Sequence, residues 1–458
     1  MVDESAAPLP GPGSKRSKPG RRRDAPLRLR RPNRDQVVPV PAYLDALLPA
    51  DHLARLLWEA AARLDLTPFA ADLVVVEGGP GRAATDPQLL VVLWLYATSQ
   101  GVASGREVAR LCVEHLAYIW LCGGVGVNYH TLDDFRVQHG DALDAVITDI
   151  LGHLAHAGLI ALERVAQDGI RVRANAGASS FRRQPTLEKS LAQARALVTA
   201  VRAARSAGET DADIPPPPPP PATRQQAARE RAARERVERI EAALAGLPAA
   251  RAAKAVKREE DEARVSTTDA EARVMKMGDG GFRPAYNVQF ATQVGEPFIV
   301  GVAVTTSGTD AGQAPPMIDQ VISRTDKCPG DVLVDGGFAD LPAITALEKR
   351  GIRVLAPVRP PRNPAKDPFQ PRPGDTPEVI AWRARMATAE AKATYKQRAA
   401  TSEWVNARAR VLYGVQRLPV RGLAKVCCIA RWIALTHNLL RGLNVLLGRT
   451  VTPAVDTG

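Results

Sequence analysis

Cysteine is scarce in this 458-residue chain: five residues, Cys112, Cys122, Cys328, Cys427 and Cys428, none in a CxxC pair. That usage argues against a structural zinc site and a disulfide framework, and fits a reducing cytoplasm. No apolar stretch follows the basic N-terminus, so the first residues do not read as a signal peptide. Long apolar runs are missing as well. The longest, LLVVLWLYA at 89–97, is too short to span a bilayer, which argues against a membrane partner. What the chain has in excess is positive charge, a formal net +12. A protein this basic is expected to meet a polyanion, of which nucleic acid is the commonest. An apolar content of 45% is enough for a core, and the length suggests two or three domains.

Residues 1–36 include GPGSKRSKPGRRRDAPLRLRRPNR and read as a disordered basic arm. Residues 37–160 read as an all-helical N-terminal domain, expected to bind DNA, although the same pattern also fits an ordinary helical bundle. TDPQLLVVLWLYATSQ carries an N-cap candidate at Thr85, SGREVARLCVEHLAYIWLCGG stops at Gly123-Gly124, and Thr131 to Asp134 resembles a capping box. Short helices between tight turns suit a helix-turn-helix-like region. Residues 161–450 then hold strand signals, interrupted over 186–265 by a helical and polyproline insertion with Pro215–Pro221 at its centre and no apolar core pattern. Residues 451–458 are a tail.

The strands of the third region fall in a definite order. VAQDGIRVRANA opens it. AYNVQFAT (285–292) and PFIVGVAVTTSG (297–308) flank the turn QVGE and read as a hairpin. A helix from Ala311 to Arg324, the strand DVLVDGGF (331–338), a helix from Leu341 to Lys349, the strand IRVLAPV (352–358) and long helices over 376–447 follow. Without the insertion this is β-β-β-α-β-α-β-α, which describes an α/β, ribonuclease-H-like mixed sheet.

In that topology the first strand lies beside 331–335. Asp168 sits inside the first strand, where aspartate is depleted, and Asp335 at the carboxyl end of VLVD, where open α/β sheets place ligands. Two adjacent carboxylates repel unless a proton or a cation neutralises them. Oxygen ligands without His or Cys favour magnesium or manganese over zinc. Glu403, in YKQRAATSEWVNARAR, is the candidate third carboxylate; on a helix it shares a face with Ala407 and Arg410, which puts Arg410 in place for a DNA phosphate. Singly, Asp168 also fits an edge-strand charge, Asp335 a turn former and Glu403 half of a surface ion pair.

These residues carry a resemblance. QDGIRVRANAGASSFRR (167–183), STTDAEARVM (266–275), AYNVQFA (285–291), LVDGGFAD (333–340), YKQRAATSEWVNARAR (395–410), LPVRGLAKV (418–426) and ALTHNLLRG (434–442), with HTLDDFR (130–136) before them, are together similar to the DDE transposases of bacterial insertion sequences. The chain most resembles the insertion-sequence family eleven-eighty-two of the insertion-sequence-five-like group. The resemblance implies a catalytic triad of Asp168, Asp335 and Glu403. Phosphodiester chemistry of this kind calls for two metal ions, and Asp168, Asp335 and Glu403 are the expected ligands of two Mg2+ or Mn2+ ions. Tyr395, Arg398, Glu403 and Arg410 match the family's helix signature, with Arg410 where Lys is commoner. Arg171, Arg173, Asn287, Tyr395, Arg398 and Arg410 are the expected DNA contacts. The implied activity is cleavage at terminal inverted repeats and strand transfer into target DNA, by a homo-oligomer on double-stranded DNA in the bacterial cytoplasm, associated with the nucleoid. The alternatives are a transposase-derived repressor without catalysis and a ribonuclease-H-fold nuclease that only cleaves.

Overall fold

A computed structural model describes residues 43–71, 73, 83–206, 224–253, 262–361, 363 and 365–448. The basic arm 1–36, the prolines 215–221 and the tail 451–458 lie outside the described residues. The chain divides into residues 1–43, of which Tyr43 alone is described, and a compact unit from Leu44 onward.

Among the described residues, six α-helices open that unit: α1 Leu53–Ala61, α2 Pro87–Ser99, α3 Gly105–Glu114, α4 Leu116–Cys122, α5 Tyr129–Gln138 and α6 Gly140–His156. Their starts correct three expectations. The cap of α2 is Asp86, whose carboxylate accepts from Gln88 N, not Thr85; Pro87 then occupies the first turn, where its missing N–H costs nothing. The stretch read as one helix through 105–122 breaks at His115, an extended residue whose ring accepts from Ala117 N and starts α4. The cap of α5 is Asn128, so Thr131 lies inside the helix and forms no capping box. Helix α2 is buried on every side from Leu89 to Thr98, as expected of a helix apolar all round.

The six-stranded sheet contains β1 Arg164–Arg173, β4 Arg273–Lys276, β5 Phe282–Gln293, β6 Ile299–Thr305, β7 Asp331–Leu333 and β8 Arg353–Leu355. Two short strands, β2 Phe181–Arg182 and β3 Val265–Ser266, form a separate ladder. In the large sheet the order is β4-β5-β1-β7-β8, with β6 on β5. β1 runs antiparallel to β5, with Asp168 opposite Phe290, and parallel to β7, with Ala166 opposite Leu333. β7 and β8 are parallel, and β5 and β6 antiparallel. The strand expected over 331–338 ends at Leu333, so Asp335 stands just past it in a turn. Helices α10 Ala314–Thr325 and α11 Leu341–Glu348 make the crossovers.

Helices α12 Pro377–Ala387, α13 Ala389–Tyr395 and α14 Trp404–Val411 follow, and α15 Leu423–Leu446 closes the unit. Helix α15 is long and apolar enough to cross a membrane, but 67% of that stretch is buried inside the protein, which is how a core helix behaves. It joins the helical region to the sheet. On one side Trp432 Nε1 donates to Arg136 O (3.0 Å). On the other, Asn438 bonds both backbone groups of Ile299 in β6, accepting from N and donating to O at 2.8 Å each. The helices before 160 and the sheet therefore share one apolar core, and the boundary expected at 160 is a change of secondary structure within it.

Among the described residues, the insertion contains α7 Gln184–Ser206, α8 Arg224–Ala245 and α9 Leu247–Ala252, with the β2–β3 ladder at its base. It has a small core of its own, correcting the expectation of none: Leu187, Ala194, Ile240, Ala243 and Leu247 are buried together with Val265 of β3. The pattern is hard to read because alanine supplies much of it.

His437 is fully enclosed between α15 and the segment before β6. Its Nε2 donates to Pro297 O (2.8 Å), and burial pushes its pKa down to about 4. The folded protein thus holds it neutral while the unfolded chain binds a proton below about pH 6.5. Its contribution is present above that pH and is lost as pH falls toward 4, a difference on the order of 3 kcal/mol. Urea unfolding at about pH 7 and pH 4.5 should show wild type losing more stability than His437→Gln; equal losses would mean that His437 stays neutral when unfolded or charges without penalty when folded.

Candidate active site

One edge of β1 is covered by β5 from Val165 to Arg173. The other meets β7 only at Arg164–Ala166 and touches Arg417 at Arg173. Between those contacts the edge is open, and Asp168 lies in the opening. Its Oδ1 accepts from Gly169 N (2.9 Å) and its Oδ2 from Asn406 Nδ2 of α14 (3.0 Å). Asp335, in the turn after β7, accepts from Gly337 N (2.7 Å) and Phe338 N (3.3 Å), which holds its carboxylate at the same end of the sheet.

Glu403 comes to this place through Arg398. The Arg398 guanidinium lies 3.5 Å from Asp168 Oδ2 and 3.7 Å from Glu403 Oε1, and stands over the Tyr395 ring at 5.9 Å. Glu403 ends a π-helical turn, Ala399–Glu403, that runs straight into α14. Such wide turns recur at functional sites; here the turn separates Glu403, 66% exposed, from Ser402, which is buried. Arg398 Nε and Nη1 are buried without a hydrogen-bond acceptor. An unpaired buried donor is costly, so this guanidinium is only partly satisfied by the two carboxylates.

Burial pushes the Asp168 carboxyl above its ordinary pKa. Arg398 and the Gly169 N–H pull it back down, while the charges of Asp335 and Asp310 push it further up. Among the described residues, no group of three or more His, Cys, Asp or Glu is gathered closely enough to hold a metal ion.

The expected DNA contacts do not lie together. Arg173 and Arg410 are exposed, at the end of β1 and on α14. Tyr395 and Arg398 face the carboxylates. Arg171 is engaged inward, pairing with Asp310 (3.0 Å) and donating to Gly308 O (3.1 Å). Asn287 corrects the expectation outright: it has no exposed surface and donates to Asp310 Oδ1 (2.6 Å), so it is part of the framework. The sequence reading missed Asn406 and Asp310. Asn406 could have been found from its helical spacing to Glu403; Asp310, in the loop SGTDAGQ, looks like an ordinary turn residue.

Residues 42–138 match the family model described as "Transposase domain (DUF772)", and residues 254–439 match "Transposase DDE domain". Both matches support an insertion-sequence transposase. No curated protein and no solved structure matches the chain. The DDE match includes Asp335 and Glu403 and stops short of Asp168, which lies on the far side of the helical insertion. β1 pairs with β5, which lies inside the matched span.

Because its folded pKa lies above its unfolded one, ionised Asp168 lowers stability. That cost is full above the folded pKa and absent below about pH 3.8. Asp168→Asn removes it. The melting temperature of the variant relative to wild type should be highest near neutral pH, and the gap should close on acidification through the carboxylate range. A variant less stable than wild type at neutral pH would mean that the Arg398 pair outweighs burial.

Proposed function

We propose that this chain is a DDE transposase of ribonuclease-H-like fold, of the insertion-sequence family eleven-eighty-two, that cuts DNA at terminal inverted repeats and transfers the released strand to target DNA. The observation that carries the reading is the position of Asp168 at the open edge of β1 where β7 stops, with Asp335 in the turn after β7 near enough for its charge to act on Asp168, and with Arg398 between Asp168 and Glu403. The strand order, three antiparallel strands followed by two parallel ones beside β1, supports the fold.

DDE transposases generally use divalent metal ions. The donor set fits such ions: it is carboxylate oxygen throughout, and Asp168 is raised by burial first and then by the charges of Asp335 and Asp310, all of which a hard cation would offset. Asp168, Asp335 and Glu403 would hold magnesium or manganese, which supplies neutralisation of developing phosphate charge and activation of the attacking oxygen. Glu403 would then turn from Arg398, as a side chain two-thirds exposed can. The chain's own groups do the rest. Asn406 and the Gly169 N–H orient the Asp168 carboxylate from both sides. Arg398 holds Asp168 and Glu403 to one guanidinium. Arg173 and Arg410, both exposed, would meet phosphates along the DNA as charge-assisted pairs. The net charge of +12 favours the same partner for the N-terminal helices, in a homo-oligomer assembled on DNA in the cytoplasm.

The test uses DNA carrying the element's terminal repeats, with magnesium or manganese, and reads binding, cleavage and strand transfer separately. Asp168→Asn, Asp335→Asn and Glu403→Gln should each bind DNA like wild type and lose both chemical steps. An Asp168→Asn protein that cuts at the wild-type rate removes the triad; wild type that cuts without strand transfer is a nuclease instead.

A further inference from the structure

A second carboxylate stands behind β1. Asp310, in the loop between β6 and α10, is only 6% exposed. Its Oδ1 accepts from Asn287 Nδ2 (2.6 Å) and Gln289 Nε2 (2.7 Å), and its Oδ2 pairs with Arg171 Nη2 (3.0 Å). Gln289 in turn accepts from Gln167 Nε2 (3.2 Å). Burying a carboxylate is costly unless charge and hydrogen bonds compensate, and three donors from two strands do so here. By the two-residue alternation of a strand, Gln167, Gly169 and Arg171 share the face of β1 opposite to Asp168. Asp310 is therefore behind the strand whose front carries Asp168.

Two glycines make room for it. A β-carbon at Gly169 would lie 2.7 Å from Asp310 Oδ1, 2.6 Å from Asn287 Oδ1 and 2.5 Å from Gln289 Nε2. No other residue fits beside Asp168 without displacing this network. A β-carbon at Gly337 would lie 2.9 Å from Asp335 Oδ1 and 3.6 Å from Asp310 Oδ2. The Asp310 carboxylate thus reaches the backbone next to Asp168 and the turn that carries Asp335, and its charge acts on Asp168.

We propose that Asp310 is a positioning residue for the Asp168–Asp335 pair, fixing the β1 backbone at Gly169 and the Asp335 turn from behind and adding charge that strengthens the site's hold on a divalent cation. This rests on the transposase reading above. Asp310 touches neither cation nor DNA; it acts through the residues it holds. Arg171, its ion-pair partner, opposes the charge effect. Removing each member of the pair should then move cation affinity in opposite directions, which a general loosening of the fold does not do.

The experiment measures Mn2+ binding to the full chain without DNA, from the paramagnetic resonance signal of the free ion, beside melting temperature and binding of terminal-repeat DNA. Asp310→Asn should weaken Mn2+ binding by about 10–100-fold, the usual effect of removing an outer support of a ligand carboxylate, with DNA binding kept. Arg171→Gln should tighten it. Asp310→Asn with wild-type Mn2+ affinity, or both variants weakened alike, overturns the inference. If Asp310→Asn fails to fold, Arg171→Gln decides alone, and unchanged or weaker binding overturns it. Wild type that binds Mn2+ and loses it in Asp168→Asn but not in Asp310→Asn defeats this inference alone. Wild type that binds no Mn2+ defeats the metal reading beneath it as well.

Discussion

β1 is held along its whole length on one edge and only at its two ends on the other. β5 covers the first edge from Val165 to Arg173; β7 and the Arg417 segment touch the second at its extremities. A strand held so firmly has little freedom to relax, so Asn406 and the Gly169 N–H have only the carboxylate of Asp168 to orient and not its backbone. A charged residue is tolerated there because solvent, Arg398 and Asn406 reach the opening from the α14 side. The early end of β7 creates that opening. A longer β7 would pair the rest of the edge and leave Asp335 in the ladder.

The acidic groups use this support from three directions. Asp168 faces forward from the strand, Asp335 comes from the turn beyond β7, and Asp310 presses from behind through the space two glycines leave. Rigid elements position such groups better than loops do, and the two contributed by loops are each tied by short hydrogen bonds. Glu403 differs: its π turn leaves it exposed, and its link to the others runs through one arginine.

Much of this was legible in the chain. The large strands stand out by composition and by the turns between them, and once their order is known the neighbours of β1 follow from handedness and connection rules. Asp168 and Asp335 were readable because a charge within or just after an apolar strand is anomalous. The face on which Asn287 lies was not readable. β5 is buried on both sides over most of its length, so it lacks the alternation that separates inward from outward positions. Asp310 was hidden for another reason: its partners come from 139, 23 and 21 residues away and meet only when β1 lies against β5. Helix starts failed for a local reason, since neighbouring Thr, Asp and Asn residues compete for one cap and the backbone geometry selects among them.

The ladder of β2 and β3 has a consequence for how such a chain can assemble. Gln167 and Gln289 meet across 122 residues, a separation that would make this pairing slow if all of it had to be searched as free coil. Closing a loop costs entropy that rises only logarithmically with its length, about 0.6 kcal/mol for each doubling. Phe181 and Arg182 lie against Ser266 and Val265, and the helices between them bury their own apolar residues. Once that hairpin of helices has formed, the two ends of the insertion are already neighbours. For the strands outside it, most of the intervening chain no longer counts as loop. An insertion that fastens its own base in this way leaves β1 and β5 almost as near in effective length as they would be without it.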